Sequence, residues 1–345
     1  MKGRVVALGQ IGERRAAALI VDGRLDDFLI DGPQDTPVSG AIYRAICDRP
    51  LKGQGGMMVR LPDGSGYLRG GKGLRPGQTI LVQVTGYAEA GKAVPVTAKT
   101  VLKSRNVIVT PNGGGINVSR AVKDEEERLR IRAAIDTEKA ATSGFGVIAR
   151  TGAIVAQDDE ISIETDDLVD LARDLLSDQD GGKPELLLDG ADAHMLAWRE
   201  WGVPDLLADS ETAFDDFDVA GLLGEISAVR GALPGGGHFF IEPTQALVAI
   251  DVNTGSDTSL AAGLKANIAL ARELPRQLRC RGLGGQITID FAPMPKKDRR
   301  QLEHVLKAAF RSDPTDTALA GWTPLGNFEL QRKRERLALT DCLPK

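Results

Sequence analysis

The sequence predicts a multidomain chain that mixes α/β and all-β architecture, and three observations carry that prediction. Two apolar runs, Ala246 to Asp251 (ALVAID) and Gln286 to Asp290 (QITID), flank a helix-like stretch from Leu260 to Leu278. That order, strand, helix, strand, is the signature of neighbouring parallel strands joined by a right-handed crossover. Short strands broken by glycine clusters fill about Val38 to Leu102, the pattern of a small barrel. Finally, 345 residues allow two or three cores, and 40 glycines with only 4% aromatics point to a turn-rich, strand-rich chain.

Taken in order, the first segment (RVVALGQ, AAALIVDG, RLDDFLID) alternates apolar and polar residues as half-buried strands do, and it ends in a turn-rich stretch from Asp31 to Pro37. The runs GAIYRAI, GGMMVRL, GYLRG, RPGQTILVQVTGYAE and KAVPVTAKTVL then supply five short strands, enough for a closed barrel of the oligonucleotide-binding type. A third region opens with NVIVTPNGGGINVS, continues through a charged helix from Lys123 to Ala140 with DEEE at its positive end, and returns to the strand FGVIARTGA. TDDLVDLARDLLSD reads as an amphipathic helix capped by Thr165, followed by a linker from Gln179 to Lys183. PELLLDG and a helix around Ala191 to Trp201 form a small further unit. From Phe217 a helix leads through LPGGG into HFFIEPTQALVAID.

Charge is unevenly distributed behind a net value of −5. Residues 51–110 carry nine Lys or Arg and two acids, whereas residues 158–218 carry twenty acids and three bases. A polarised field of this kind steers a polyanion to the basic region, although two solvated surfaces of opposite sign read the same way. Arg14 and Arg15 interrupt the N-terminal apolar run, and no segment reaches transmembrane length, so neither a signal peptide nor a membrane span is expected. Cys47, Cys280 and Cys342 make no CxxC pair, and His194, His238 and His304 are far apart, so the expectation is a reduced, cytoplasmic chain without zinc.

Both apolar runs end on a carboxylate, at Asp251 and Asp290. On parallel neighbours these acids emerge at one sheet edge, where they must neutralise each other or share a cation. Mg²⁺ takes one or two carboxylates and keeps several waters, so two acids suffice as protein ligands. Asn253, two residues beyond Asp251, falls on the same face of an extended strand and either assists that carboxylate or only starts the turn at Gly255. Arg150 and Thr151 end a strand before a glycine, where guanidinium, hydroxyl and backbone amides can gather round a terminal phosphate; a salt-bridged surface arginine is the commoner explanation of such a pair. In the barrel, Met58 and Tyr67 lie beside Arg60, Arg69, Lys72 and Lys92, as base-stacking or as core residues. LPGGGHFF fits a hairpin turn better than a phosphate loop. QRKRER has the spacing of an exposed helix, able to track a phosphate backbone or to solvate a surface.

The stretches IEPTQALVAIDVNTG, ARELPRQLRCRGLGGQITIDF and PLGNFELQRKRER, in this order and spacing, resemble the ribonuclease E/G family, and the likeness runs through most of the chain. The resemblance implies a Mg²⁺-dependent endoribonuclease that cleaves single-stranded RNA, favours 5′-monophosphorylated substrates and leaves 5′-phosphate and 3′-hydroxyl ends. An RNA-binding protein of the S1 type with little or no cleavage is the alternative. It implies four parts: a reduced ribonuclease-H-like piece (1–34 plus 183–212), an S1 barrel of the OB type inserted in it (35–102), a 5′-sensor-like α/β region (103–182) and a DNase-I-like catalytic subdomain (213–345). Residue by residue, Asp251 and Asp290 match the family's metal-binding aspartates and Asn253 its assisting asparagine. Arg150 and Thr151 match the 5′-monophosphate pair, with Ile108 near that pocket. Lys92 and Tyr67 match RNA-contacting positions, and Met58 stands where the family usually has phenylalanine. The family's two-cysteine zinc motif has no counterpart, since Cys342 lacks a nearby partner, so any homodimer is expected without a zinc link. The second strand continues as FAP where relatives usually carry another acid.

Overall fold

The computed structural model describes residues 2–34, 36–51, 53, 55–88, 91–257, 259 and 261–344. Leu260, the expected start of the crossover helix, and residue 35, the expected barrel boundary, lie outside them. The chain divides into two compact units. One comprises Met1–Gln34, Asp192–His194 and Val203–Lys345, the other Asp35–Ala191 and Met195–Gly202.

The first unit contains two sheets. In the four-stranded sheet the order is Leu206–Ala208, Arg4–Ile11, Arg14–Val21, Arg24–Ile30, with only the first pair parallel. Ala16 to Ile20 are buried without alternation, so this strand is covered on both faces rather than one. On the neighbouring strand Arg4–Ile11, Gly9 lets a ring close in: a Cβ there would lie 2.6 Å from Phe214.

The six-stranded sheet runs Arg230–Ala232, His238–Pro243, Val248–Asn253, Gly285–Asp290, Phe328–Arg332, Thr317–Trp322. Val248–Asn253 and Gly285–Asp290 are parallel, as the strand–helix–strand order predicts, and helix Ala262–Cys280 crosses between them. Val248, Ile250, Val252, Ile287 and Ile289 point to one face, where they meet Leu270, Leu274 and Leu278 of that helix and Leu302, Leu306 and Phe310 of helix Arg299–Arg311. The alternation of period two in the strands thus decides which side is core, and Asp251 and Asp290 are left on the other.

In the second unit Ile42–Leu51, Gly56–Leu61, Gly64–Arg69, Val94–Thr97 and Thr79–Val84 pair in that order and close back on Ile42–Leu51, giving the five-stranded barrel expected from the sequence. Its interior holds Met57, Val59, Leu68, Val82 and Val96. Gly66 keeps the barrel narrow, because a Cβ would stand 2.9 Å from Val59. A four-stranded sheet, ordered Gly115–Val118, Gly146–Ala149, Val107–Thr110, Leu102–Lys103, packs with helices Glu125–Ile135 and Asp158–Ser177.

Three sequence expectations need correction. Thr165 does not cap a helix; Asp158–Ser177 begins seven residues earlier on a capping box in which Glu160 accepts from the Gln157 backbone amide, and buried Thr165 donates its hydroxyl to the Ile161 carbonyl at 2.7 Å. The charged helix breaks into Glu125–Ile135 and Glu138–Ser143, because Thr137 caps the second piece. QRKRER is no exposed helix: it begins in strand Phe328–Arg332, where Arg332 is a buried position. Within residues 183–212, Glu185–Leu188 pairs with Ile42–Leu51 of the barrel and Leu206–Ala208 joins Arg4–Ile11.

Candidate active site

Asp251 and Asp290 are direct register partners, the last pair between the two parallel strands. Neighbouring strands lie about 4.8 Å apart, so the two carboxylates rise side by side from one face. Both are exposed, while the residues preceding them, Ile250 and Ile289, are buried. The amide of Asn253 donates to Asp251 Oδ2 at 2.7 Å, which holds one carboxylate in place. Asn253 is the last residue of strand Val248–Asn253, and its side chain is bonded to Asp251.

The antiparallel neighbour completes the same face. Phe240 is opposite Asp251 and His238 opposite Asn253, with the two rings edge to face at 5.5 Å. Two hard oxygen donors side by side fit a hard divalent cation that keeps part of its water shell. Among the described residues no group of three or more His, Cys, Asp or Glu side chains is placed to hold a metal.

Sequence reasoning missed what anchors the second strand. Asn267, fully buried on the crossover helix, donates to the Ala292 carbonyl at 2.9 Å and accepts from the Ala292 amide at 3.0 Å. One turn earlier Gly263 meets the Pro293 carbonyl so closely that a Cβ would stand 2.0 Å from its oxygen. The segment just after Asp290 is thus bolted to the helix at two points. Only a polar residue among the apolar positions of that helix hinted at this.

The residues read as phosphate-binding also come together. Ile108 pairs with Ile148, and Arg150, two residues further along, follows on the same side by alternation. The Arg150 amide donates to the Asn106 carbonyl at 2.7 Å, and its Nη1 donates to the carbonyls of Ser104 at 2.6 Å and Arg199 at 3.3 Å. Its Nη2 makes an ion pair with Glu200. Thr151 is exposed at the start of the turn Thr151–Ile154. Glu164 braces this corner, accepting from the Asn106 amide at 3.0 Å and side chain at 2.9 Å. Neither Glu164 nor Glu200 was legible as a partner, because each is far from Arg150 in sequence.

On the barrel Met58 and Tyr67 are direct cross-strand partners and lie on the outer face, half-buried; the interior position belongs to Met57. Tyr67 lies over Gly56, whose missing side chain makes room for the ring at 2.4 Å from the Cβ site. Lys92 is exposed just before strand Val94–Thr97. Burial pushes the Cys280 thiol up to about 12 and the Cys342 thiol up to about 11, above the range where thiolate forms readily.

The sequence model of the Ribonuclease E/G family matches residues 101–206 and 203–335, more than half of the chain. The chain belongs to the ribonuclease E/G family. Similar proteins include Ribonuclease E of Nostoc sp., 33% identical across 76% of this chain and 44% of that protein. Ribonuclease E of Synechocystis sp. is 30% identical across 76% of this chain and 44% of its own. Ribonuclease G of Escherichia coli (strain K12) is 28% identical across 78% of this chain and 62% of its own. The chain therefore spans less than two thirds of the length of these family members. Its closed five-stranded barrel within a mixed α/β chain is consistent with an OB/S1-like barrel in a ribonuclease E/G protein.

Proposed function

We propose that this chain is a metal-dependent endoribonuclease acting on single-stranded RNA in RNA processing and decay. The observation that carries the reading is the direct pairing of Asp251 with Asp290 on an exposed sheet face, in a chain of the ribonuclease E/G family. Asp251 and Asp290 would hold Mg²⁺, and Asn253 orients Asp251. A bound divalent metal supplies an activated water and stabilises charge on the scissile phosphate. Cleavage leaves 5′-phosphate and 3′-hydroxyl ends. In this reading Gly56–Leu61 and Gly64–Arg69 present Met58 and Tyr67 to bases, and Lys92 takes a backbone phosphate. Arg150 and Thr151, with Ile108 beside them, hold a 5′-monophosphate. The ribonuclease-H-like, 5′-sensor-like and DNase-I-like labels, and a cytoplasmic site of action, belong to the same proposal. Among the described residues no helix is long and apolar enough to cross a membrane. The burial of Cys342 argues against a thiolate zinc link, so any homodimer would be held by other contacts.

The test is direct. The protein is incubated with a 5′-monophosphorylated single-stranded RNA in Mg²⁺, in EDTA and in EDTA followed by excess Mg²⁺, and the product ends are sequenced. Cleavage is expected only where free Mg²⁺ is present; equal cleavage in EDTA would end the metal reading. For the barrel, Tyr67→Ala is expected to weaken RNA binding by about 1–3 kcal/mol. Fluorescence anisotropy measures it, and an unchanged Kd would make the ring purely structural.

A further inference from the structure

We propose that Glu200 is a built-in competitor for the 5′-phosphate position, a carboxylate that must leave Arg150 before a terminal phosphate can bind. The proposal rests on the reading of Arg150 as the phosphate-binding arginine. Three observations carry it. First, Arg150 has little left to offer: Nη1 is committed to the carbonyls of Ser104 and Arg199, and Nη2 is taken by Glu200. A guanidinium has five N–H donors in a fixed plane, and an anion can approach only along its remaining edge. Second, Glu200 is gripped from both sides, with Oε1 accepting from Arg199 Nε at 2.8 Å while Oε2 faces Arg150. Its two oxygens thereby mimic two oxygens of a phosphate between two guanidinium groups. Third, the carboxylate stays charged. Burial pushes its carboxyl up, but the Arg150 and Arg199 guanidinium groups outweigh burial and hold it below the usual glutamate range.

Two anions cannot share one guanidinium edge, so the phosphate gains the Arg150 pair only by giving up the Glu200 pair. With side chains 21% and 35% exposed, the Arg150–Glu200 pair is partly screened, and its competition is moderate. The consequence is a protein that responds to a 5′-monophosphate less than its arginine would allow. Glu200 is then a specificity-determining residue acting through Arg150. Its displacement leaves Arg199 free to turn toward the same ligand.

The experiment measures Kd by anisotropy, in EDTA to prevent cleavage, for two single-stranded oligoribonucleotides of one sequence that end in 5′-monophosphate or 5′-hydroxyl. Wild type, Glu200→Gln, Arg150→Ala and the double variant are compared. Glu200→Gln is expected to raise the preference for the monophosphate end roughly fivefold, with the 5′-hydroxyl affinity unchanged as the check on folding, and to raise nothing in the Arg150→Ala background. If Arg150→Ala abolishes the preference but Glu200→Gln leaves it as in wild type, the competitor is overturned and the phosphate site stands. A gain that persists without Arg150 also overturns it, as a general charge effect. If neither single variant changes the ratio, the phosphate reading of Arg150 falls and the proposal with it.

Discussion

Replacing Asp290 by Asn is expected to lower RNA cleavage by about 10²- to 10³-fold while leaving RNA affinity and thermal midpoint close to wild type. The substitution keeps the shape of the side chain and the ladder that pairs Asp290 with Asp251. It removes one of the two negative charges that a divalent cation would bridge. Because Asp290 is exposed at a strand end, no buried group loses a partner. Asp251→Asn should behave similarly in rate, with the added loss of the carboxylate that receives the Asn253 amide. Single-turnover cleavage of a 5′-monophosphorylated RNA, with circular dichroism as the folding control, measures both. Wild-type rates in either variant would remove that residue from the site.

The largest effect on stability is expected at Asp313, outside the site. Its fully buried carboxylate faces Arg279 Nη1 at 2.6 Å and the buried Arg332. Arg279 continues to Asp26 at 3.3 Å and Asp27 at 3.5 Å, and Arg336 pairs with Asp27 in turn. This chain of charges joins the end of the crossover helix, strand Arg24–Ile30 and strand Phe328–Arg332. Burial pulls the Arg332 guanidinium below its ordinary value, and the Asp313 hydrogen bond works against that pull. Asp313→Asn leaves two guanidinium groups facing a neutral amide in a poorly solvated place, which costs about 3–5 kcal/mol. For a unit of this size the thermal midpoint should fall by at least about 6 °C. Glu335→Gln, which breaks the largely exposed pair with Lys333, serves as the contrast and should cost no more than about 1 kcal/mol. Equal midpoints for the two variants would refute the ranking.

The two parallel strands and the five-strand barrel were legible because their information is local. Alternation decided that Val248, Ile250 and Val252 turn inward, and it made the two out-of-place aspartates visible in the sequence alone. The errors fall where a distant partner overrides local signs. A basic run solvates a surface unless carboxylates wait for it, and Asp313 and Asp27, far away in sequence, draw Arg332 and Arg336 inside. Thr165 resembles a cap, but the stronger box at Gln157 and Glu160 starts the helix earlier. In the same way, the Arg150–Thr151 pair could be singled out from its strand-end position, while its ion pair with Glu200 is a product of tertiary folding.

Within their own sheet the carboxylates stand on a face without walls. Glu242, Gln286, Glu329 and Gln331 around them are exposed too, so none of these described residues encloses a ligand. A mononucleotide set on such a plane has few surfaces to hold it, whereas a strand gains a grip with every residue laid down. If the proposed reaction takes place on this face, length itself becomes the credential of the substrate, and short fragments would be released because too little of them remains to hold.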